Sequence, residues 1–369
     1  MKNTIIALVL AMLAPVAAQA QSADWQKKWD ETLKAAREEG KVVVTGPPDA
    51  QIRKLLPEAF KKRYGIAMEY QSARGSDSAN KMRAERAAGI YTADVALAGS
   101  NTMFTVMLRE RMLAPLRPEL ILPEVLEGKN WKRGSIWFVD PEEQYVLRLF
   151  STVNEAFWIN TKEVKPGELR KAQDLLSPRW KGKIAFMDPT VAGTGANQAA
   201  SLYAIFGPDF VKKLFIDQQT ALSRERRQLT DWLARGTYHV VFGGEDGELQ
   251  RLRAEGMPIN SVHGLEDMAG SLSGGNQVGL YSNAPHPNAA RVFVNWMASK
   301  EGSEIYARAL NMVPIRTDID ASSFMPPEVI PKQGVNYFDP YLYEFTVTTK
   351  EQARLKIREM LKSQRQSQP

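Results

Sequence analysis

The sequence predicts an α/β fold, and three observations carry that prediction. Short apolar runs recur at residues 41–45, 66–70, 94–98, 155–160, 183–187 and 239–242, each the length of a buried strand. Most are followed by a turn rich in glycine or proline and then by apolar residues at i, i+3 and i+4, the pattern of an amphipathic helix. The chain is also long, at 369 residues, with 44% hydrophobic residues and no cysteine. It can bury large cores without disulfide staples, and its length favours two domains.

The elements follow in order. Lys2 supplies a positive start, residues 5–18 are almost wholly apolar, and Ala18-Gln19-Ala20 is a small-x-small cleavage site. Residues 1–20 therefore read as a Sec-type signal peptide cleaved near Ala20, and its apolar run is too short for a comfortable bilayer span. The protein is expected to be exported and soluble. Strand 41–45 ends at Gly46-Pro47-Pro48. Ile52, Leu55, Leu56, Ala59 and Phe60 then mark a helix ending near Gly65, which Pro57 should kink or restart. Strand 66–70 is followed by Arg74-Gly75-Ser76 and a helix running to Gly89. Strand 94–98 leads to the turn Gly99-Ser100-Asn101.

Strand 155–160 and strand 239–242 repeat the scheme. The second is followed by Gly243-Gly244-Glu245-Asp246-Gly247 and a helix through Leu249 and Leu252. Asn288 reads as the cap of a helix with Ala289, Val292, Phe293, Trp296 and Met297 on one face, and Gly302 lies just beyond a helical stretch. Alternating βαβ units predict mostly parallel sheets flanked by helices, with ligands beyond the carboxyl ends of the strands. The candidate binding loops are therefore Thr45-Gly46, Gly75-Ser76, Ser100-Asn101, Thr194-Gly195-Ala196 and residues 244–247.

Residues 180–203, WKGKIAFMDPTVAGTGANQAASLY, are the most informative of these segments. Asp188-Pro189 ends a short strand, because proline cannot donate to a ladder and restricts the residue before it. A flexible turn follows, and Ala199, Leu202, Tyr203 and Phe206 then recur at helical spacing. A helix that starts here aims free N–H groups, at the positive end of its dipole, at one spot that favours negative charge. The same residues also fit a plain strand-to-helix connection.

The composition narrows the classes of function. The absence of cysteine excludes thiol catalysis, cysteine metal sites and lipid attachment at a cleavage-site cysteine. A net charge of +6 suits anionic partners, yet no dense basic run with interleaved aromatics points to nucleic acid. No G-x-S-x-G, H-E-x-x-H or G-K-[ST] motif is present, and Gly193-Thr194-Gly195 lacks the third glycine of a dinucleotide fingerprint. Of the three histidines, His239 lies in a strand and His286 between prolines, both in structural positions. Glu245, Asp246 and Glu248 could do acid–base work, but a turn entering a helix attracts acidic residues without any chemistry.

Five segments together carry a family resemblance: LLPEAFKKRYGI (55–66), AGIYTADV (88–95), FWINTKEV (157–164), LLSPRWKGKIAFMDP (175–189) and HPNAARVFVNWMASKEG (286–302). The chain resembles the periplasmic substrate-binding proteins of ATP-driven importers. It looks closest to the type II branch that includes ferric-ion, thiamine, phosphonate and sugar-phosphate binders. The resemblance covers about the whole mature chain, though these are scaffold motifs that do not name the ligand. It implies a two-lobed type II fold with mixed sheets flanked by helices and a ligand cleft between the lobes. Residues 21–151 and 274–369 would form lobe 1, and residues 152–273 lobe 2, with the C-terminal helices able to lie across both. The crossings near Ser151-Thr152 and Ser273-Gly274 would act as a hinge, with Ser151 among the ligand contacts. The resemblance also implies a periplasmic location, an inner-membrane permease as partner, a monomeric state and no catalysis, cofactor or resident metal.

Iron-binding members of the branch offer a test of ligand class. They place a histidine where Pro48 stands, often a glutamate where Gly99 stands, and a tyrosine pair where ungapped counting puts Asp246-Gly247. One carboxylate cannot satisfy Fe³⁺, although Tyr238 and Tyr281 could in principle substitute. The companion anion site of iron binders matches Thr194, Gly195 and Ala196, and its polar partner falls on Arg226 with Arg227 beside it. An arginine facing that site would grip a carboxylate or phosphate with paired hydrogen bonds; Arg224-Glu225-Arg226-Arg227 also fits a solvated helix face. The expected ligand is a small organic anion, phosphorylated or carboxylated, with Asp246 accepting hydrogen bonds from its hydroxyl or amino groups. The alternatives are ferric iron or an iron chelate, a sensory binding protein that docks on a receptor kinase, and a secreted enzyme using the acidic cluster.

Overall fold

A computed structural model describes residues 24–73, 75–191, 193–268 and 270–366 of the chain. The segment read as a signal peptide lies outside the described residues, and so does the side chain of Ser76. The chain divides into two compact units. Unit 1 comprises Met1–Phe150 with Gly275–Phe324, and unit 2 comprises Ser151–Gly274 with Met325–Pro369. Among the described residues no helix is long and apolar enough to cross a membrane.

Unit 1 begins with a helix over residues 24–39 (α1) and then alternates: β1 (Lys41–Gly46), α2 (Ala50–Tyr64), β2 (Ala67–Ser72), α3 (Gly75–Ala87) and β3 (Val95–Ala98). A short helix α4 (Ser100–Thr102) runs on as a π-helical turn, Met103–Leu108. The local signals in α2 are clear. The Asp49 carboxylate accepts from the Ile52 N–H at 2.9 Å, Ile52, Leu56, Phe60 and Tyr64 are buried at a spacing of four, and Gly65 ends the helix at φ 76°. Pro57 was expected to kink or restart this helix, but α2 is a single span across it, because the packed stripe outweighs one lost backbone bond.

The strand order in unit 1 is β2-β1-β3-β13-β4, where β4 is Leu113–Ala114 and β13 is Gln277–Tyr281; β5 (Val146–Leu147) also pairs with β13. β1 runs parallel to β2 and β3, whereas β13 is antiparallel to β3, β4 and β5. A short helix α5 (Pro123–Leu126) precedes β5. The sheet is thus mixed rather than mostly parallel, because the chain returns from unit 2 along β13 in the opposite direction. Helices α9 (Pro287–Ala298) and α10 (Lys300–Leu310) complete the core, with Phe60 in ring contact with Phe293 and Trp296, both at 5.4 Å. Two details differ from the sequence reading. Asn288 does not cap α9; Glu39 reaches across and accepts from the N–H groups of Asn288 and Ala289. Gly302 lies inside α10, where a Cβ would stand 2.0 Å from the Trp296 carbonyl oxygen, so its bareness lets α10 start against the end of α9.

Unit 2 holds a five-stranded sheet in the order β11-β7-β10-β8-β9 and a two-stranded ribbon of β6 and β12. The strands are β6 (Thr152–Asn154), β7 (Phe157–Asn160), β8 (Ile184–Met187), β9 (Ala221–Ser223), β10 (Val240–Phe242), β11 (Ile259–Val262) and β12 (Ser271–Ser273). β8 is parallel to β9 and β10, while β7 is antiparallel to β10 and β11. The helices are α6 (Thr194–Lys212, broken at Gly207, where φ is 82°), α7 (Arg226–Ala234) and α8 (Asp246–Ala254). Phe186 stacks on Phe242 at 4.6 Å and meets Phe215 edge-on at 4.9 Å.

The resemblance places the chain after 274 in lobe 1, with C-terminal helices that can lie across both lobes; Met325–Pro369 gathers with unit 2. The reason is apolar. Helix α11 (Lys350–Gln366) lies along α6 and buries Ile357 and Leu361 in the unit 2 core, while Ala353 packs with Ala200 and Phe345.

Candidate functional site

The site is built where β8 hands over to α6. β8 ends at Met187, and the Asp188 carboxylate turns the chain by accepting from the Thr190 N–H at 2.9 Å and the Thr190 hydroxyl at 2.6 Å. α6 then starts at Thr194, with Gly193 as its cap residue. Its first intrahelical bond runs from Asn197 N–H to the Gly193 carbonyl, 3.1 Å, so the N–H groups of Thr194, Gly195 and Ala196 take no part in the helix's own ladder. Gly195 is required by closeness: a Cβ there would stand 2.2 Å from the Met187 carbonyl oxygen and 3.0 Å from that of Asp188. Only a bare backbone lets the head of α6 press against the strand end.

A cation meets this helix head. Arg226, the first residue of α7, donates from Nη2 to the Thr194 hydroxyl at 2.5 Å and from Nη1 to the Gly244 carbonyl at 3.3 Å. One guanidinium thus ties the start of α6 to the glycine turn before α8. The Thr230 hydroxyl braces the same turn by accepting from the Glu245 N–H at 3.0 Å. Gly243 and Gly244 have φ of 98° and 111°, the left-handed region that L side chains rarely adopt. Arg227 is exposed and acts on Glu248 through its charge. Arg224 pairs with Asp188, its Nε donating at 2.9 Å.

The acidic side of the site centres on Asp246, the first residue of α8. Partial burial of its carboxyl, then the facing charge and hydrogen bond of Glu155, push it up to about 6, while Arg226 pulls the other way and Glu245 adds to the rise. The residue as a whole keeps solvent access, so the crowding by Glu155 is the part that bears on ligands. Asp188 behaves oppositely. Burial would raise it, but the hydrogen bonds from Thr190 and Arg224 outweigh burial and hold it below the usual carboxylate range.

The residues singled out from sequence thus fall into two places. Thr194, Gly195, Ala196, Arg226 and Asp246 come together in unit 2, and Arg227 stands beside them facing solvent. Ser151 is buried at the border of the same unit. Thr45, Gly46, Gly75 and Ser100 belong to unit 1. Thr45 is buried, and its hydroxyl lies 3.1 Å from the Tyr281 hydroxyl. Gly46 makes room for Tyr70, whose hydroxyl a Cβ would approach to 2.3 Å. Gly75 sits against Thr102, and Ser100 accepts from Gln277 Nε2 at 2.7 Å, so these two loops are neighbours. Sequence reasoning missed Glu155 and the roles of Asp188 and Arg224. The pairing of β7 with β10 brings the Glu155 loop beside the turn after β10, and no local pattern announces that adjacency.

Of the tyrosines that might replace iron ligands, Tyr281 has its hydroxyl 3.1 Å from that of Thr45. Tyr281 is buried and its hydroxyl is pushed up to about 12 by that burial, and Tyr238 packs on Trp232 at 4.8 Å. Among the described residues no group of three or more His, Asp or Glu side chains is arranged to hold a metal ion.

With this architecture in place, the relationship to known proteins is direct. The chain belongs to the family of bacterial extracellular solute-binding proteins, whose model matches residues 43–304. That is a family of binding proteins, and the resemblance read from sequence is borne out. An uncharacterized protein of Haemophilus influenzae is 27% identical over 197 residues, and the chain spans about half the length of that curated relative, 51%, with 50% of this chain covered. Among solved structures, FutA of Trichodesmium in complex with iron and citrate is similar with a TM-score of 0.67 at 16% identity, covering 87% of this chain and 99% of that one. AfuA of Actinobacillus pleuropneumoniae, with fructose-6-phosphate bound, has a TM-score of 0.53 at 18% identity, covering 87% and 97%. At such identities these likenesses establish the fold, that of the two-lobed type II periplasmic binding proteins.

Proposed function

We propose that this protein is the solute-binding component of an ATP-driven importer and that it captures a small organic anion, phosphorylated or carboxylated, at the head of α6. It works in the periplasm as a monomer and delivers its ligand to an inner-membrane permease, without catalysis. One observation carries the ligand class: the Arg226 guanidinium stands 2.5 Å from the Thr194 hydroxyl at the start of the helical stretch that runs to the break at Gly207. A permanent cation and helix N–H donors outside the helix's own ladder converge there, and both favour an anion. Asp246 accepts hydrogen bonds from the ligand's hydroxyl or amino groups. Pro48 and Gly99 stand where iron-binding members would place metal ligands, and Asp246-Gly247 where they would place a tyrosine pair, which favours an organic anion over iron.

Native mass spectrometry of freshly purified protein tests the reading, because clamps of this kind retain ligand. The expected adduct is one organic acid or phosphate ester per chain. Retained iron with a tyrosinate charge-transfer colour would establish the iron alternative instead, and turnover of the bound compound would establish an enzyme.

A further inference from the structure

Resting on that reading of the α6 site, we propose that Asp188 is a positioning residue that sorts the arginines: it withdraws Arg224 from the ligand and leaves Arg226 as the one guanidinium serving the anion. Three guanidiniums crowd the same stretch of chain, at positions 224, 226 and 227. All three delivered to one anion would reward charge over shape. The geometry separates them. Arg227 is exposed, and Glu248, whose field it shares, is bonded to Arg251. Arg224 leaves β9 where the Asp188 N–H donates to the Ser223 carbonyl at 2.8 Å, and its Nε meets Asp188 Oδ2 at 2.9 Å. The other oxygen, Oδ1, is held by the Thr190 N–H and hydroxyl in the turn leading to α6.

The two oxygens therefore do different work. Oδ1 shapes the turn before the helix head, and Oδ2 neutralises Arg224. The asymmetry in exposure supports this division: the Asp188 side chain is 10% exposed and that of Arg224 is 67% exposed. The buried partner is fixed by three hydrogen bonds, while the solvated one is free to swing elsewhere once its partner is lost. Asparagine at 188 keeps an acceptor for Thr190 and loses only the charge that holds Arg224. The released cation then adds to the field at the α6 head and favours a doubly charged anion over a singly charged one.

Inorganic phosphate and acetate, titrated into the full protein while the Gly195 amide is followed by NMR, supply the test. In the wild type both anions shift that amide, and Arg226→Ala weakens both. Asp188→Asn should raise the preference for phosphate over acetate about threefold, the scale of one solvated ion pair. Asp188→Glu should retain the wild-type preference. Arg224→Gln alone should change neither affinity, and the double variant Asp188→Asn/Arg224→Gln should return the preference to its wild-type value. A merely structural Asp188 predicts otherwise: equal weakening for both anions, with no restoration in the double variant, and that result overturns the inference. If Asp188→Asn fails to fold, a loss of phosphate affinity in Arg224→Gln overturns it equally, since Arg224 would then be serving the ligand. An unresponsive Gly195 in the wild type removes the α6 site itself, whereas an Arg226-dependent response with an unchanged preference in Asp188→Asn removes only the sorting.

Discussion

Replacing Gly195 with alanine strains the candidate site at its backbone. The added methyl would stand 2.2 Å from the Met187 carbonyl oxygen and 2.7 Å from its carbonyl carbon, where ordinary contact begins at 3.4 Å. The strand end and the helix head must part by about 1 Å, and neither side is a side chain that can rotate away. Forced overpacking of this kind costs about 1–3 kcal/mol. Gly195 is not among the glycines with positive φ, so alanine incurs no torsional penalty and recovers at most about 1 kcal/mol of helix propensity. With the full offset the net loss is about 0–2 kcal/mol, or up to roughly 6 °C in the thermal midpoint of a unit this size. Urea unfolding followed by tryptophan fluorescence measures it, and anion affinity should fall in parallel because the N–H groups of α6 move. Gly247→Ala is the control, since nothing lies within 4 Å of a Cβ there; it should be neutral or slightly stabilising. If Gly195→Ala matches the wild type in both stability and affinity, the close approach of α6 to Met187 is refuted.

Other expectations concern charge and packing. The Asp246 carboxyl is raised in the folded protein, so it favours folding below about pH 4, where both states are protonated, and that contribution is lost as pH rises through about 6. Asp246→Asn should therefore raise the thermal midpoint over the wild type at pH 7.5, with the difference closing at pH 4. Asp94 is fully buried and accepts from Val43 N–H at 2.7 Å, His286 N–H at 2.8 Å and His286 Nδ1 at 2.9 Å. Asp94→Ala strands those donors and should cost about 3 kcal/mol in urea unfolding of unit 1. Ile357→Ala should cost about 2–4 kcal/mol and loosen unit 2, because Ile357 is fully buried in that unit's core; hydrogen exchange localises the effect to α6 and α11.

Much of the fold was legible wherever the information was local. The Asp49 cap, the stripe 52-56-60-64 and the Gly65 stop are all written within one helix. What failed was non-local. Glu39 caps α9 from far along the chain in place of Asn288, and Pro57 was overridden by packing. Antiparallel β13 belongs beside β3 only once the chain has returned from unit 2, and the tail's allegiance to unit 2 depends on apolar residues that α6 and its neighbours bring together far along the chain. The site divides in the same way. The α6 head and Arg226 could be placed by counting along a family pattern. Glu155 could not, because its meeting with Asp246 depends on strand order. Asp188 was visible only as the residue before a proline, and its second use appears once Arg224 is seen beside it.

The central claim is that Arg226 at the head of α6 holds the ligand's negative end. Calorimetry with the compound released from the purified protein, titrated into ligand-stripped wild type, Arg226→Ala and Arg227→Ala, tests it most directly. Loss of a charge-assisted hydrogen-bonding partner should weaken binding roughly ten- to a hundredfold in Arg226→Ala, while Arg227→Ala, which faces solvent, should bind like the wild type. Equal affinity for wild type and Arg226→Ala would contradict the account.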